Sequence, residues 1–481
     1  MNVLSILLVA TAVPSSFFSD HMMLQRDRPV PVWGTAAPGE RVAVEFGGRC
    51  AASVTGKDGR WRVALPAFPA SETGRDLLVR GVSGEQRFVD VIVGDVYLAA
   101  GQSNMQFPIY GRTARQHDHN GNALVQIVND RGIRFSNPRR TWCDAPTNDV
   151  ELAWGAGVRS DLTRYLYRGM HEEGSVSAVA YYFARYVREA TGVPVGFVDV
   201  SRGGAFIEPC LAPAEAAKTK ELNLHVFGPH QRPGVLWNGM IDPMKAFPFK
   251  GVLWYQGESN KCCTNGAYLV KFRALVRGWR REFANERLPF YFVQLAPCSS
   301  GHLSVQLQQA EYEREDPDSA MVVVTDVGSF RNIHPTDKNT VGLRLALRAL
   351  KRDYGFSGIE DASPVPVGAR RTPDGCVAVT FDHAEWMYVI NDDMGLAADF
   401  EVKDADGGWR KATIVNFRET WVAYLKQNRK FGEIDGGSIV LSASGTKNPV
   451  AVRYLFNAPW KGSVFNGASL PLGPFEMDVM K

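Results

Sequence analysis

The chain changes its hydrophobic rhythm twice. From about residue 14 to 90, apolar and polar positions alternate in short runs such as Arg41-Val-Ala-Val-Glu-Phe46 and Trp61-Arg-Val-Ala-Leu65, separated by Gly, Pro and Asp turns. A period of two puts every second side chain on one face of a strand, so this stretch predicts a small antiparallel β-domain without helices. From about 91 to 355, strand-like and helical patterns alternate. Val176, Val179, Phe183 and Val187 recur at the helical period and stop near Gly192. Tyr268, Phe272, Leu275, Val276, Trp279 and Phe283 do the same, and Leu343, Leu347 and Leu350 predict a further helix. These stripes read as core, and the alternation predicts a mostly parallel sheet covered on both faces. From about 362 the period of two returns, in Val377-Ala-Val-Thr-Phe381 and Val450-Ala-Val-Arg-Tyr-Leu-Phe456, and predicts a second β-sandwich. The expected spans are therefore 14–90, 91–355 and 362–481, with long polar loops between Met105 and Gly174.

Four strand ends in the middle region carry candidate chemistry. The apolar run beginning at Val91 ends at Gly101-Gln-Ser-Asn-Met105, which places Ser103 just past a rigid strand with a glycine nearby, as a nucleophilic hydroxyl requires. Val195-Gly-Phe-Val-Asp-Val200 runs into Ser201-Arg-Gly-Gly204, and Gly251-Val-Leu-Trp-Tyr255 into Gln256-Gly-Glu-Ser-Asn260. Glycine N–H groups and a side-chain amide at such ends suit an oxyanion that forms during acyl transfer. His334 follows the run from Met321 to Thr325 and precedes the helix carrying Leu343, which makes it the candidate base among nine histidines. In α/β sheets, ligands bind at the carboxyl ends of strands.

Gly101-Gln-Ser-Asn-Met105, Ser201-Arg-Gly-Gly204, Trp254-Tyr-Gln-Gly-Glu-Ser-Asn260 and Ile333-His-Pro335 followed by Lys338 resemble the sialate O-acetylesterases, a branch of the SGNH (GDSL-like) hydrolases close to carbohydrate acetylesterases. Phe18-Ser-Asp-His-Met-Met-Leu-Gln-Arg26, Ser177-Ala-Val-Ala-Tyr-Tyr-Phe183, Pro289-Phe-Tyr-Phe-Val-Gln-Leu295 and Asn448-Pro-Val-Ala-Val-Arg-Tyr454 extend the likeness over nearly the whole chain. The resemblance implies a flavodoxin-like three-layer α/β/α hydrolase domain flanked by N-terminal and C-terminal β-domains. It implies Ser103 as nucleophile and His334 as general base, with Ser103, Gly204 and Gln256 as oxyanion donors. The implied reaction is removal of O-acetyl groups from a sugar, 9-O-acetyl sialic acid first and acetylated xylan or another carbohydrate second, with no cofactor. A glycan-binding protein with impaired catalysis is the reading from a different class.

Two positions depart from the family pattern. Where an aspartate commonly precedes the histidine, this chain has Arg331 and Asn332, so the imidazole is oriented by a backbone carbonyl, by Asn332, or by a carboxylate such as Glu258. Arg202 stands where tryptophan is usual before the two glycines. Arg202 and Arg331 are both expected to reach the pocket, where a guanidinium fork suits a sugar carboxylate, and Asn260 is a further substrate-binding candidate.

Composition fits an ordinary enzyme: 481 residues suffice for two or three domains, and 54 Lys+Arg against 51 Asp+Glu with no basic stripe give no reason to expect nucleic acid. The 7 cysteines form no metal pattern and no dense disulfide framework, and Cys262-Cys263 read as two thiols. His117-Asp-His119 supplies too few ligands for a dedicated zinc site, so no metal is expected. Val3 to Val9 followed by Ala10-Thr-Ala12 resembles a weak secretory signal over residues 1–13, and is far short of the roughly 20 residues that span a bilayer. A periplasmic or secreted location is the corresponding expectation, with an acetylated sugar as partner and no membrane span.

Overall fold

A computed structural model describes residues 12–82, 84–111, 118–164, 176–218, 220, 222, 228–329, 331–391, 396–420, 430–434, 437–457 and 461–480. The signal-like residues 1–11 and His117 lie outside the described residues.

The strand Gly84–Gly101 organises the architecture. Its first half alternates exposed and half-buried positions and pairs antiparallel with Ser71–Gly81, for instance Leu77 opposite Phe88. From Ile92 on every residue is buried, and Asp95–Ala99 pair in parallel with Val195–Asp199. A nearly continuous apolar run is what a strand needs when both its faces are covered, and the charge of Asp95 within it is met by Arg26 Nε at 2.9 Å. The strand begins seven residues before Val91, because the polar alternating segment is already held by the hairpin.

The central sheet runs in the order Trp154–Val158, Asn129–Ser136, Val195–Asp199, Gly84–Gly101, Gly251–Tyr255, Phe290–Val293, Ser319–Val322. Apart from the first two strands this is the 2-1-3-4-5 order of doubly wound folds, and the order reverses at Gly84–Gly101. The architecture is mixed α/β, with further β-sheets before and after the central one in sequence. The expectation of long loops between Met105 and Gly174 needs correction, since that region supplies two strands and the helices Gly121–Ile127 and Arg159–Arg164. The pattern was obscured by Arg134, a strand residue that is 1% exposed and neutralised by Asp90 at 3.0 Å.

Two compact units divide the described residues: those within Met1–Leu253 with Ala274–Phe290, and those within Trp254–Arg273 with Tyr291–Lys481. In the first, the helix Ala178–Thr191 begins where the Ser177 hydroxyl accepts the Ala180 N–H at 3.2 Å and stops at Gly192, whose φ of +71° suits glycine. Its buried Val179, Phe183 and Val187 form the expected stripe, with Phe183 edge-on to Tyr97 at 4.7 Å. Burying such a phenylalanine contributes roughly 1.5–3 kcal/mol.

In the second unit, the helix Lys338–Asp353 is capped by Asp337, which accepts the Thr340 N–H at 3.0 Å. Its buried face is Val341, Leu345 and Ala349, while Leu343 and Leu347 are only half-buried. The shift arises because Arg344 and Arg348 are taken into the interior. Arg344 makes two 2.7 Å bonds to Asp326, and Arg348 reaches Asp361 at 3.2 Å. After this helix come a seven-stranded and a four-stranded sheet whose apolar residues, Val379 and Val452 from the first and Val389 and Val464 from the second, belong to one buried cluster.

Candidate active site

In the first unit, Ser103 opens a short helix, Ser103–Gln106, directly after the buried strand. Gly101 has a φ of +134°, which a side-chain-bearing residue rarely adopts, so glycine permits the sharp exit from strand to helix. The loop after Val195–Asp199 is fastened to this exit in two places. The Arg202 N–H donates to the Gly101 carbonyl at 3.0 Å, and the Gly203 N–H donates to Gln106 Oε1 at 2.6 Å. A β-turn follows, closed by the Ala205 N–H on the Arg202 carbonyl at 3.1 Å, and Gly204 supplies the positive φ of +72° at its third position. Among the described residues, no acceptor takes the Gly204 N–H. Its carbonyl accepts Gln231 Nε2 at 2.9 Å, so the turn is held from behind while its amide face is left for a ligand. Ser103, Arg202 and Gly204 thus belong to one hydrogen-bonded block.

Below the block, the buried Asp199 accepts the Ser201 N–H at 2.9 Å and Arg140 Nη2 at 3.1 Å, and Arg140 Nε donates to the Ser201 carbonyl at 3.1 Å. Burial pushes the Asp199 carboxyl upward against the pull of Arg140 and Ser201. The Arg202 guanidinium lies over the Trp142 ring at 5.1 Å, and Trp142 is 44% exposed and edge-on to His230 at 6.0 Å. No carboxylate among the described residues pairs with Arg202. Burial, and then the nearby Arg140 charge, lowers its pKa; burial and the Arg202 charge lower that of His230. A cation half withdrawn from water with another cation beside it lowers its energy by taking up an anion.

In the second unit, Gln256 is fully buried. Its Nε2 donates to Asn260 Oδ1 at 2.7 Å, and its Oε1 and backbone carbonyl accept the Tyr268 hydroxyl at 3.2 and 3.0 Å. These bonds fix which way the amide points. Asn260 also turns its Nδ2 toward Cys263 Sγ at 3.8 Å. Glu258 is 4% exposed, and its charge adds to burial in raising the Tyr255 hydroxyl. Lys338 Nζ sits 5.3 Å from the centre of the Tyr255 ring. His334 is half-buried, and its backbone N–H donates to Asn332 Oδ1 at 2.9 Å, so Asn332 shapes the turn that carries the imidazole. Arg331 is exposed.

Sequence reading did not single out Gln106, Trp142 or Gln231, and it placed Tyr268 only in a core stripe. Only Gln106 had a signal, its place one helical turn after Ser103. Asp118 is committed to the Tyr182 hydroxyl at 2.8 Å and the Asn120 N–H at 3.0 Å, which leaves it poorly placed to join a metal site. All seven cysteines are free, including Cys262 and Cys263. No helix among the described residues is long and apolar enough to cross a membrane.

Comparison with known proteins agrees with the motifs. The family described as carbohydrate esterase, sialic acid-specific acetylesterase, matches residues 93–351, more than half of the chain. The sialate O-acetylesterase of Mus musculus is 28% identical over 418 residues, which cover 73% of this chain and 75% of the relative. That of Homo sapiens is 29% identical over 394 residues, with 73% of each covered. A solved carbohydrate acetylesterase from Xanthomonas citri superposes with a TM-score of 0.81 at 32% identity, covering 97% of this chain and all of the other. The chain belongs to the sialic acid-specific acetylesterase family of carbohydrate esterases and is a carboxylic ester hydrolase.

Proposed function

We propose that the protein hydrolyses O-acetyl esters of sialic acid, the 9-O-acetyl ester first, through an acetyl-enzyme on Ser103. The observation that carries this reading is the block that ties Ser103 to an unspent Gly204 N–H, because acyl transfer needs a nucleophile and a preorganised oxyanion donor on one rigid support. Ser103 Oγ attacks the acetyl carbonyl while His334 takes its proton. The Ser103 and Gly204 N–H groups and the Gln256 amide receive the oxyanion. His334 returns the proton to the sugar oxygen, which leaves, and a water activated by the same imidazole releases acetate.

Glu258 is the orienting group in this scheme. The two positions where an aspartate was expected hold an exposed arginine and an asparagine whose oxygen binds the backbone, whereas Glu258 is a buried carboxylate in the same unit as His334. A buried carboxylate can hold and stabilise an imidazolium that forms during turnover.

Arg202 favours an acidic sugar over neutral xylan, since its guanidinium is half-buried and has no carboxylate partner among the described residues. Asn260 then acts through Gln256, by holding its amide, and Arg331 is a second cation available to the substrate. Acetate release from 9-O-acetyl sialosides, acetylated xylan and acetylated hexosamines tests the substrate. Fastest turnover of the sialosides is expected, and preference for xylan would move the assignment to a neutral-sugar acetylesterase. Absence of turnover on any acetyl ester would favour a glycan-binding role.

A further inference from the structure

The C-terminal sheets of the second unit carry a groove of about 1010 Å³ that the acetylesterase reading does not use. Its lining includes His383, Glu385, Trp386, Tyr388, Arg418 and Glu433. Trp386 is 81% exposed. A single exposed aromatic side chain is ordinary on a protein surface and by itself asks for no ligand. The backbone beneath this one is not ordinary. Trp386 has a φ of +55° and His383 a φ of +56°, in the left-handed region that bulky residues avoid.

Such a conformation persists only where its surroundings impose it. Here three hydrogen bonds from two segments do so. Asn466 Nδ2 donates to the His383 carbonyl at 2.9 Å, the Gly467 N–H to the Glu385 carbonyl at 2.8 Å, and the Ile434 N–H to the Met387 carbonyl at 3.0 Å. Gly467 suits this close packing, since a Cβ there would lie a tight 3.0 Å from Trp386 Cβ and 3.1 Å from the Glu385 carbonyl. The fold thus accepts a strained backbone at His383 and Trp386 while the indole stands exposed to solvent. Beside it, the Tyr388 ring stacks on Phe465 at 5.3 Å and its hydroxyl donates to Ser469 Oγ at 2.9 Å, so this second aromatic of the lining is also held in place.

The polar groups say which ligand fits. Asp382 and Glu385 make no ion pair among the described residues, and Glu433 is bound to Arg418 at 2.7 Å. Three carboxylates against one guanidinium repel an acidic sugar, while charged acceptors bind hydroxyl donors strongly. The C–H face of a pyranose can lie on the negative face of an indole, and a few fixed polar groups around an aromatic surface are the usual make-up of a small-ligand site. We propose that this groove is a second glycan-binding site, independent of the catalytic one, which takes a neutral pyranose within an oligosaccharide by stacking it on Trp386 and bonding its hydroxyls to Asp382 and Glu385.

Affinity electrophoresis through deacetylated xylan, β-glucan, galactan and polysialic acid tests the proposal with the whole chain. At least one neutral polymer should retard the wild type, and polysialic acid should not. Trp386→Gly should weaken retardation about tenfold or more, the scale of losing a central aromatic contact. It should leave the melting temperature no lower, since glycine relieves the positive φ. Hydrolysis of 4-nitrophenyl acetate should be unchanged, which keeps this test separate from the esterase reading. Glu385→Gln, an exposed isosteric change, should weaken retardation without unfolding risk. Retardation by none of the neutral polymers, stronger retardation by polysialic acid, or full retention in both variants would overturn the proposal.

Discussion

The side-chain oxygen of Gln106 accepts the backbone N–H of Gly203 at 2.6 Å, so the helix that begins with Ser103 also sets the glycine turn that follows Asp199. Gln106 is 3% exposed, and replacing it leaves a buried N–H without its acceptor. Gln106→Leu should therefore loosen the Gly204 amide and lower kcat on 4-nitrophenyl acetate by about tenfold to 10²-fold, up to the scale of losing one oxyanion donor. An unchanged kcat in a folded variant would separate the turn from catalysis.

The two arginines should differ in effect. Arg202→Ala should raise KM for a 9-O-acetyl sialoside by the loss of a charged hydrogen bond, about 1.5–3 kcal/mol, and should barely affect a neutral acetyl ester. Exposed Arg331 should show a weaker form of the same selectivity. Steady-state kinetics on both substrates measure this, and equal losses on the two esters for both variants would remove the carboxylate from the account.

How much of this was legible beforehand depends on whether a signal was local. The helix Ala178–Thr191 could be read because its apolar stripe and its glycine stop lie close together in the chain. Ser103, Gly204, Gln256 and His334 could be singled out because each follows an apolar run at a strand end. The strand Asn129–Ser136 was hidden because Arg134 sits in its interior, paired with Asp90, which is distant in the chain. The buried face of Lys338–Asp353 was misread for the same reason, since Arg344 and Arg348 occupy positions that a hydrophobic pattern gives to leucine. Trp142 under Arg202 had no sequence signal, because a cation–aromatic contact between residues sixty apart is decided by tertiary structure.

Glu258→Gln distinguishes a triad from a dyad. With Glu258 orienting the imidazole, kcat should fall by about 10⁴-fold, the cost of neutralising a triad acid, with KM little changed. A loss under about tenfold would instead mean that a backbone carbonyl orients His334.

A pH prediction follows from Glu215, which is fully buried beneath three cations. Burial pushes its carboxyl up, but bonds from Arg277, Lys218 and Arg281 outweigh this and bring it down to about 2 from 4.5. A folded-state value below the unfolded one gives stability that is complete above about pH 4.5 and is lost as the pH falls toward 2. The contribution is roughly 3 kcal/mol, so denaturant unfolding should weaken over that window and Glu215→Gln should flatten the slope. An unaltered slope in the variant would assign acid lability to other groups.

In the proposed reaction Ser103 carries the acetyl group between the sugar and water. Acetate release from a 9-O-acetyl sialoside by wild type and by Ser103→Ala, both checked for native melting temperature, tests it most directly. The expected result is a loss of about 10⁶-fold, the scale on which a serine nucleophile contributes. Near-wild-type turnover by folded Ser103→Ala would contradict the account.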